Sequence, residues 1–542
     1  MYHRQGRMYG MIEYIHKGPK YGINILVIAL MLLGGILRIM FLGSVPGGMH
    51  QDEAFVAWNA FAMLKEGMDS AGHHFPVYMA DWGDGHSALY VWLLMPVFAL
   101  VKGNITPALC RIPQVFISIM TLWTTFCLLK RLKDFRTGLW GLFLLTICPW
   151  HIMMSRWGLD ANLAPGFLIF GLYFFVRGIE QEKFLPLSGF FYGLSLYSYA
   201  MVWPVVPFIL LLQISYCIYH KKIRLNGWCL LSALILFFMA LPLLLFVLVN
   251  SQILPEIRLF FLTIPKMEGY RGAEIVLCPE QMWKNLRNTL KILICQNTGS
   301  PYDFLLPWGL FYDIGRIFIV IGAIALLVRL FNSLGKKEFV SDYFLFAQLA
   351  GGVLCGILIT AKMHQINCLY IPLVLCEAYG VQTILKILRK KTIVLEHMAS
   401  WGLITLYLIC LSLFQKDYYT IYRQTAGAYF GEGIEECVEY ALEQCEQKGI
   451  HTITTEKGAQ WPRLLLYTQT LPSEYLSSVV YDIPPAPASF NSGQIHINTR
   501  IDYSNLSQES IYIIYFTDIS LFEMNFTLKG FQDWYVAVPV SQ

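Results

Sequence analysis

Two adjacent carboxylates, Asp52 and Glu53, stand in the run Met49-His50-Gln51-Asp52-Glu53-Ala54-Phe55, directly after the turn sequence Pro46-Gly47-Gly48. A carboxylate in such a place can accept the proton of an attacking hydroxyl, general-base work that contributes typically ~10² to 10⁴-fold in rate. Downstream, Gly72-His73-His74 and Asp81-Trp82-Gly83-Asp84-Gly85-His86 add imidazoles and carboxylates. Ser155-Arg156-Trp157-Gly158-Leu159-Asp160 adds an arginine and an aspartate that share one face if the stretch is helical. Lys362 and His364 lie in Ala361-Lys362-Met363-His364-Gln365-Ile366-Asn367. The plain alternatives are two solvated carboxylates at a helix start, a snorkelling Arg156 and an ordinary hairpin around Lys362.

The rest of the chain must hold these groups in an apolar setting. Of 542 residues, 56% are hydrophobic and 14% charged, with mean hydropathy +0.51, which excludes a soluble globule. The net charge of +4 comes from short basic clusters between apolar runs, so nothing suggests a nucleic-acid face. Apolar runs fall at about 23–43, 87–102, 112–129, 138–150, 163–176, 184–200, 201–218, 227–250, 307–328, 341–360, 367–385 and 398–414. Basic loops follow at 130–136, 177–183, 220–224, 329–337 and 386–391.

Taking 87–102 as a helix on the outer interface puts the N-terminus and all five basic loops inside, as the positive-inside rule asks. The first run, preceded by Arg4, Arg7, Lys17 and Lys20, reads as a retained signal anchor. The expected fold is a polytopic α-helical membrane protein of about eleven transmembrane helices with outer juxtamembrane helices. On this layout residues 44–111, 151–162, 251 to about 306, 361–366 and 415–542 share the outer face. Every polar cluster named above lies on that face. Arg271, in the long loop from Ser251 to Leu306, is a further outer cation, and Arg38 sits within the first span near its outer end. That loop reads as a mobile cover over a cleft.

Beyond residue 415 the apolar density falls. An acidic helical stretch from Glu432 ends at Gly449, and strand-like runs follow at Ile450–Thr454, Ile511–Phe516 and Tyr535–Val538. Residues 415–542 therefore read as a small extracytoplasmic α/β domain after a membrane-embedded domain over 1–414. Most of the thirteen cysteines lie in apolar runs. Cys278 and Cys295 share the long outer loop and could bridge or stay free.

The order of Asp52-Glu53, Gly85 to Trp92, Arg111-Ile112-Pro113 and Asp160 resembles glycosyltransferase family 39, the membrane enzymes of the protein O-mannosyltransferase and aminoarabinose transferase type with the C-type fold. The resemblance covers roughly residues 20 to 220. It departs where relatives carry Lys-Pro-Pro or His-Pro-Pro, because this chain has Asp84-Gly85-His86-Ser87.

The resemblance implies a transferase moving a sugar from a polyprenyl phosphate to a lipid, glycan or protein acceptor, with inversion. It implies Asp52 and Asp160 as catalytic residues and Asp52 as the base. Glu53, Asp84, His86, Arg156, Lys362 and His364 would bind substrate, and Mg²⁺ or Mn²⁺ could lie between Asp52 and Asp160. The setting would be a bacterial plasma membrane, N-terminus cytoplasmic. The competing readings are a transporter or flippase of a lipid-linked saccharide, and a scaffold that has lost catalysis. The absence of internal repeats and of midplane polar residues weighs against a transporter.

Overall fold

The computed structural model describes residues 22–81, 85–101, 105–260, 262–267, 269–297, 300–360, 362–483 and 486–540. Asp84 and the basic residues before the first apolar run lie outside the described residues.

Helices α1 (Gly22–Ile39), α2 (Gln51–Glu66), α3 (Leu89–Leu100), α4 (Pro107–Leu132), α5 (Phe135–Ile147) and α6 (Pro149–Met154) form the first third. Then come α7 (Ala164–Glu180), α8 (Leu185–Leu196), α9 (Val205–Tyr219), α10 (Gly227–Asn250) and α11 (Pro279–Cys295). Helices α12 (Asp313–Lys336), α13 (Asp342–Leu358), α14 (Tyr370–Lys391) and α15 (Ile393–Asp417) complete the bundle.

Among the described residues seven helical stretches are long and apolar enough to cross a membrane: Pro107–Leu132, Asp160–Glu180, Ala200–Tyr219, Gly227–Asn250, Asp313–Lys336, Met363–Lys391 and Ile393–Phe430. They coincide with seven of the eleven expected spans. The helices at the other four expected spans have 18, 13, 12 and 17 residues, below the roughly 20 that cross hydrocarbon at full thickness. The 138–150 run is divided because Pro149 starts a new helix, the position proline favours. The expected interfacial segment 87–102 is α3, whose buried residues Leu89, Tyr90, Val91 and Leu94 pack it onto its neighbours.

Helix α15 runs through a π-helical turn, Tyr418–Tyr422, into α16 (Arg423–Phe430). Gly431 and Gly433, both at positive φ, stop it, and the C-terminal domain follows. This domain contains the acidic helix α17 (Ile434–Lys448), capped as expected by Gly449 at φ 67°, with α18 (Trp461–Tyr467) and α19 (Pro472–Ser478).

Short hairpins β1 (Tyr78–Met79) with β2 (His86–Ser87), and β3 (Ile257–Leu259) with β4 (Leu262–Ile264), belong to the loops of the bundle. The domain's sheet consists of β5 (Thr452–Thr455), β6 (Val480–Ile483), β7 (Ala486–Ser492), β8 (Ile495–Asn498), β9 (Ile511–Tyr515), β10 (Phe526–Phe531) and β11 (Trp534–Pro539). Their order is β10-β11-β9-β5-β8-β7-β6, with β5 parallel to both neighbours and the other pairs antiparallel.

Cys278 and Cys295 are free, exposed, and flank α11 at its two ends. Seventeen residues of helix hold them roughly 25 Å apart, far beyond disulfide reach.

Candidate active site

The loop after α1 makes a tight approach to the C-terminal domain. A Cβ on Gly48, which has φ +71°, would stand 2.6 Å from the backbone of Phe430 and Glu432, so only glycine fits between them. His50 then caps α2, its ring Nδ1 accepting the Asp52 N–H at 3.3 Å. The Glu53 carboxylate accepts the His50 N–H at 3.1 Å and closes the capping box. Both carboxylates therefore sit in the first helical turn, where the helix dipole favours negative charge.

The two adjacent acids have opposite environments. Glu53 is buried and bound by Arg111, Nε to Oε1 at 2.9 Å and Nη2 to Oε2 at 3.0 Å, and it also accepts the Gly158 N–H at 2.6 Å. Arg111 uses its remaining donors on the carbonyls of Leu42, Pro46 and Gly48. The pair ties the loop after α1 to α4, and all of Glu53's strong acceptor sites are engaged. Asp52 is partly open, its side chain 22% exposed.

His86, expected as a substrate ligand, sits on β2 between two aspartates. Its Nε2 lies 3.1 Å from Asp81 Oδ2 and its Nδ1 3.6 Å from Asp160 Oδ2. The hairpin is shaped for this: Asp81 accepts the Gly85 N–H at 2.8 Å, and Gly85 turns at φ +73° beneath Tyr78. Burial alone would lower the imidazole pKa, but Asp160, Asp81 and Asp52 raise it to about 9, so His86 is a cation at neutral pH. Burial pushes the Asp52 carboxyl up, yet His50, His86, His364 and Arg271 outweigh it and hold Asp52 below its ordinary value. Arg271 stands in the same field, its charge felt by Tyr199, Tyr78 and Asp160.

His364 lies across the site, its Nδ1 2.9 Å from buried Asp303. Its ring meets Trp157 at 5.8 Å, and Trp157 in turn meets His50 at 5.2 Å. Lys362 is exposed beside it. The charges of His86, Arg271 and His364, from β2 and two further segments, thus act on Asp52 at the start of α2.

Arg156 lies elsewhere. It is fully buried and donates to the carbonyls of Leu37, Arg38, Phe41 and Val45 and to the Tyr418 hydroxyl, which closes the C-terminal end of α1. Every guanidinium nitrogen is used inside the protein, so Arg156 is a fastening of the fold with no donor facing a ligand. Arg38 is likewise enclosed, donating to the carbonyls of Gly34, Leu145 and Thr146 and bonded to His151.

Asp160 is engaged by its own neighbours. Its Oδ2 accepts the Ser87 N–H at 3.1 Å and faces His86, and its Oδ1 accepts the Ala161 N–H at 2.6 Å. Among the described residues no group of three or more His, Cys, Asp or Glu side chains could hold a metal ion.

Sequence reasoning left Asp81, Asp303 and His50 without a role. Asp81 carried the one available signal, its place five residues before His86 across a glycine turn. Asp303 had none, since its partner is 61 residues away.

No protein-family model and no curated protein sequence matches the chain. Among solved structures it is similar to ArnT from Cupriavidus metallidurans bound to undecaprenyl phosphate, with TM-score 0.56 and 10% identity over 97% of this chain and 99% of that one. The apo state of the same protein gives TM-score 0.51 and 10% identity over 95% and 97%. The chain therefore shares the fold of ArnT from bundle through C-terminal domain.

Proposed function

We propose that the protein transfers a sugar from a polyprenyl-phosphate donor to an acceptor hydroxyl at the extracytoplasmic surface of a membrane, with Asp52 as general base. The observation that carries this reading is the partly open, ionised Asp52 next to a buried imidazolium, His86, in a fold whose ArnT counterpart was crystallised with undecaprenyl phosphate. In the step, Asp52 takes the acceptor proton and the acceptor oxygen forms a bond to the anomeric carbon. The bond from that carbon to the phosphate oxygen breaks, and polyprenyl phosphate leaves with the electron pair. One displacement inverts the anomeric centre.

The leaving phosphate gains charge, and fixed cations worth most in a dry site should meet it. His86 spends both ring nitrogens on Asp81 and Asp160, so it acts on the step through its field, which helps hold Asp52 ionised, and Arg271 is the cation that meets the phosphate. Lys362, exposed at the rim, guides the anionic donor in. Asp160 acts through His86 as a positioning residue, and Glu53 and Arg156 hold the scaffold. No step of this reading runs through a metal. The division into a membrane-embedded part, 1–414, and an extracytoplasmic part, 415–542, with the N-terminus cytoplasmic, belongs to the same proposal.

The test is release of polyprenyl phosphate from a panel of polyprenyl-phosphate sugars by the detergent-purified protein and its Asp52→Asn variant. Turnover by the wild type alone supports the reading. Equal turnover by both moves the base away from Asp52, and no turnover with any donor favours the transporter or scaffold.

A further inference from the structure

The C-terminal domain contains a feature that the transfer step leaves unused. Strand β5 is flanked by two parallel neighbours, β8 on one side and β9 on the other. From β5 the chain runs through α18, α19, β6 and β7 to β8 on one side, then crosses to β9 on the other, so the strand order reverses at β5. Such a switch point opens a crevice outside the carboxyl ends of the strands, the place where open sheets of this kind bind ligands.

A cavity of about 330 Å³ lies there. It is lined by Glu456 and Lys457 just after β5, Trp461 at the start of α18, Asp482 on β6, and Arg500 just after β8. This volume falls at the lower end of small-molecule sites. Gln460, also on the wall, has φ 62° and ψ 118°. A non-glycine residue held in so sparsely populated a conformation is a mark of a site where geometry is imposed for a purpose.

The lining indicates the ligand's chemistry. Two carboxylates and two cations balance, and Arg500 already pairs with Asp482 at 3.0 Å, so no net charge awaits a phosphate or a metal. Carboxylates, a guanidinium, an ammonium and an amide suit a neutral, hydroxyl-rich ligand, whose hydroxyls can donate to one set and accept from the other, while Trp461, buried and stacked on Tyr475 at 6.3 Å, closes the floor. We propose that this crevice is a saccharide-binding site that holds the glycan part of the acceptor.

The wall of the crevice continues into the active site. Trp461 meets Phe55 edge-on at 6.0 Å, and Phe55 lies 5.1 Å from the His86 ring. Two residues along α18, buried Arg463 donates to the Met49 carbonyl at 2.8 Å, directly ahead of the Asp52 helix. A saccharide in the crevice therefore rests on the element that supports α2, one helix away from the base.

That the saccharide is the acceptor rests on the transferase reading; that a saccharide binds does not, and the experiment separates the two. The full-length protein in detergent is titrated calorimetrically with trisaccharides of glucose, mannose and N-acetylglucosamine, beside Glu456→Gln and Arg500→Ala, with donor turnover measured on the same samples. The expected result is saturable binding of at least one trisaccharide, weakened tenfold or more by each substitution, with release of polyprenyl phosphate in the presence of that trisaccharide slowed to match. No saturable binding of any of the three, or binding that neither substitution alters, overturns the proposal. Binding with the expected losses in a protein that turns over no donor keeps the site and removes the transferase reading.

Discussion

His86 offers the sharpest test because its charge depends on pH within reach of experiment. Raising an imidazole's pKa from 6.5 to about 9 corresponds to about 3 kcal/mol in favour of the charged form, at about 1.4 kcal/mol per pH unit. The folded-state value lies above the unfolded one, so this stabilisation is fully present below pH 6.5 and lost as pH rises through about 9. If the step needs the field by which this cation helps hold Asp52 ionised, kcat/KM should fall about tenfold per pH unit above about pH 9, the free-enzyme value. His86→Lys keeps a cation in place and should move that descending limb up toward lysine's ordinary value near ~10.4. His86→Gln should be slow and flat across the same range. The assay is polyprenyl phosphate release between pH 6 and 10.5, with thermal midpoints on the same samples to separate loss of fold from loss of rate. A wild-type profile level to pH 10, or a limb near 9 that survives in His86→Gln, refutes the reasoning.

Further outcomes follow from the buried pairs and the exposed thiols. Arg111→Met leaves the Glu53 carboxylate buried without its cation and should cost roughly 3–5 kcal/mol, read as a lowered thermal midpoint; adding Glu53→Gln should restore part of it, and an unchanged midpoint with lost turnover would make the pair functional instead. Arg156→Ala should likewise lower the midpoint, by at least ~2 kcal/mol for carbonyls left unpaired, and an intact midpoint would free Arg156 for substrate. Gly158→Ala, whose Cβ would stand 3.0 Å from the Tyr90 hydroxyl and 3.2 Å from Glu53, should impair both folding yield and turnover, which size-exclusion profiles and donor assays report. Without reductant, a maleimide should label Cys278 and Cys295, the exposed pair among thirteen cysteines; labelling that appears only after reduction would contradict their separation on α11.

Composition and periodicity were enough for the membrane bundle, because hydrocarbon demands continuous apolar helices and leaves few alternatives. The glycine turn, the acidic pair in the first helical turn and the fall in apolar density after residue 415, with strand patterning from Ile450, are local signals, and α2, α17, β5, β9 and β11 lie where those signals put them. The four short helices escaped that reading, since apolar runs do not report where proline and packing interrupt a helix. Tertiary structure alone decided what each polar residue does. Asp52 and Glu53 are neighbours of one type, yet only Glu53 meets Arg111, 58 residues away. Arg156 and His86 are both cations, but one is consumed by carbonyls at and just after the end of α1 while the other is framed by Asp81 and Asp160. Spacing along a chain gives the residues available to a site, and distances of this kind depend on which loops the bundle brings to the same end. The role of a charged group is set by the partners within a few ångströms, and those partners come from elsewhere in the sequence.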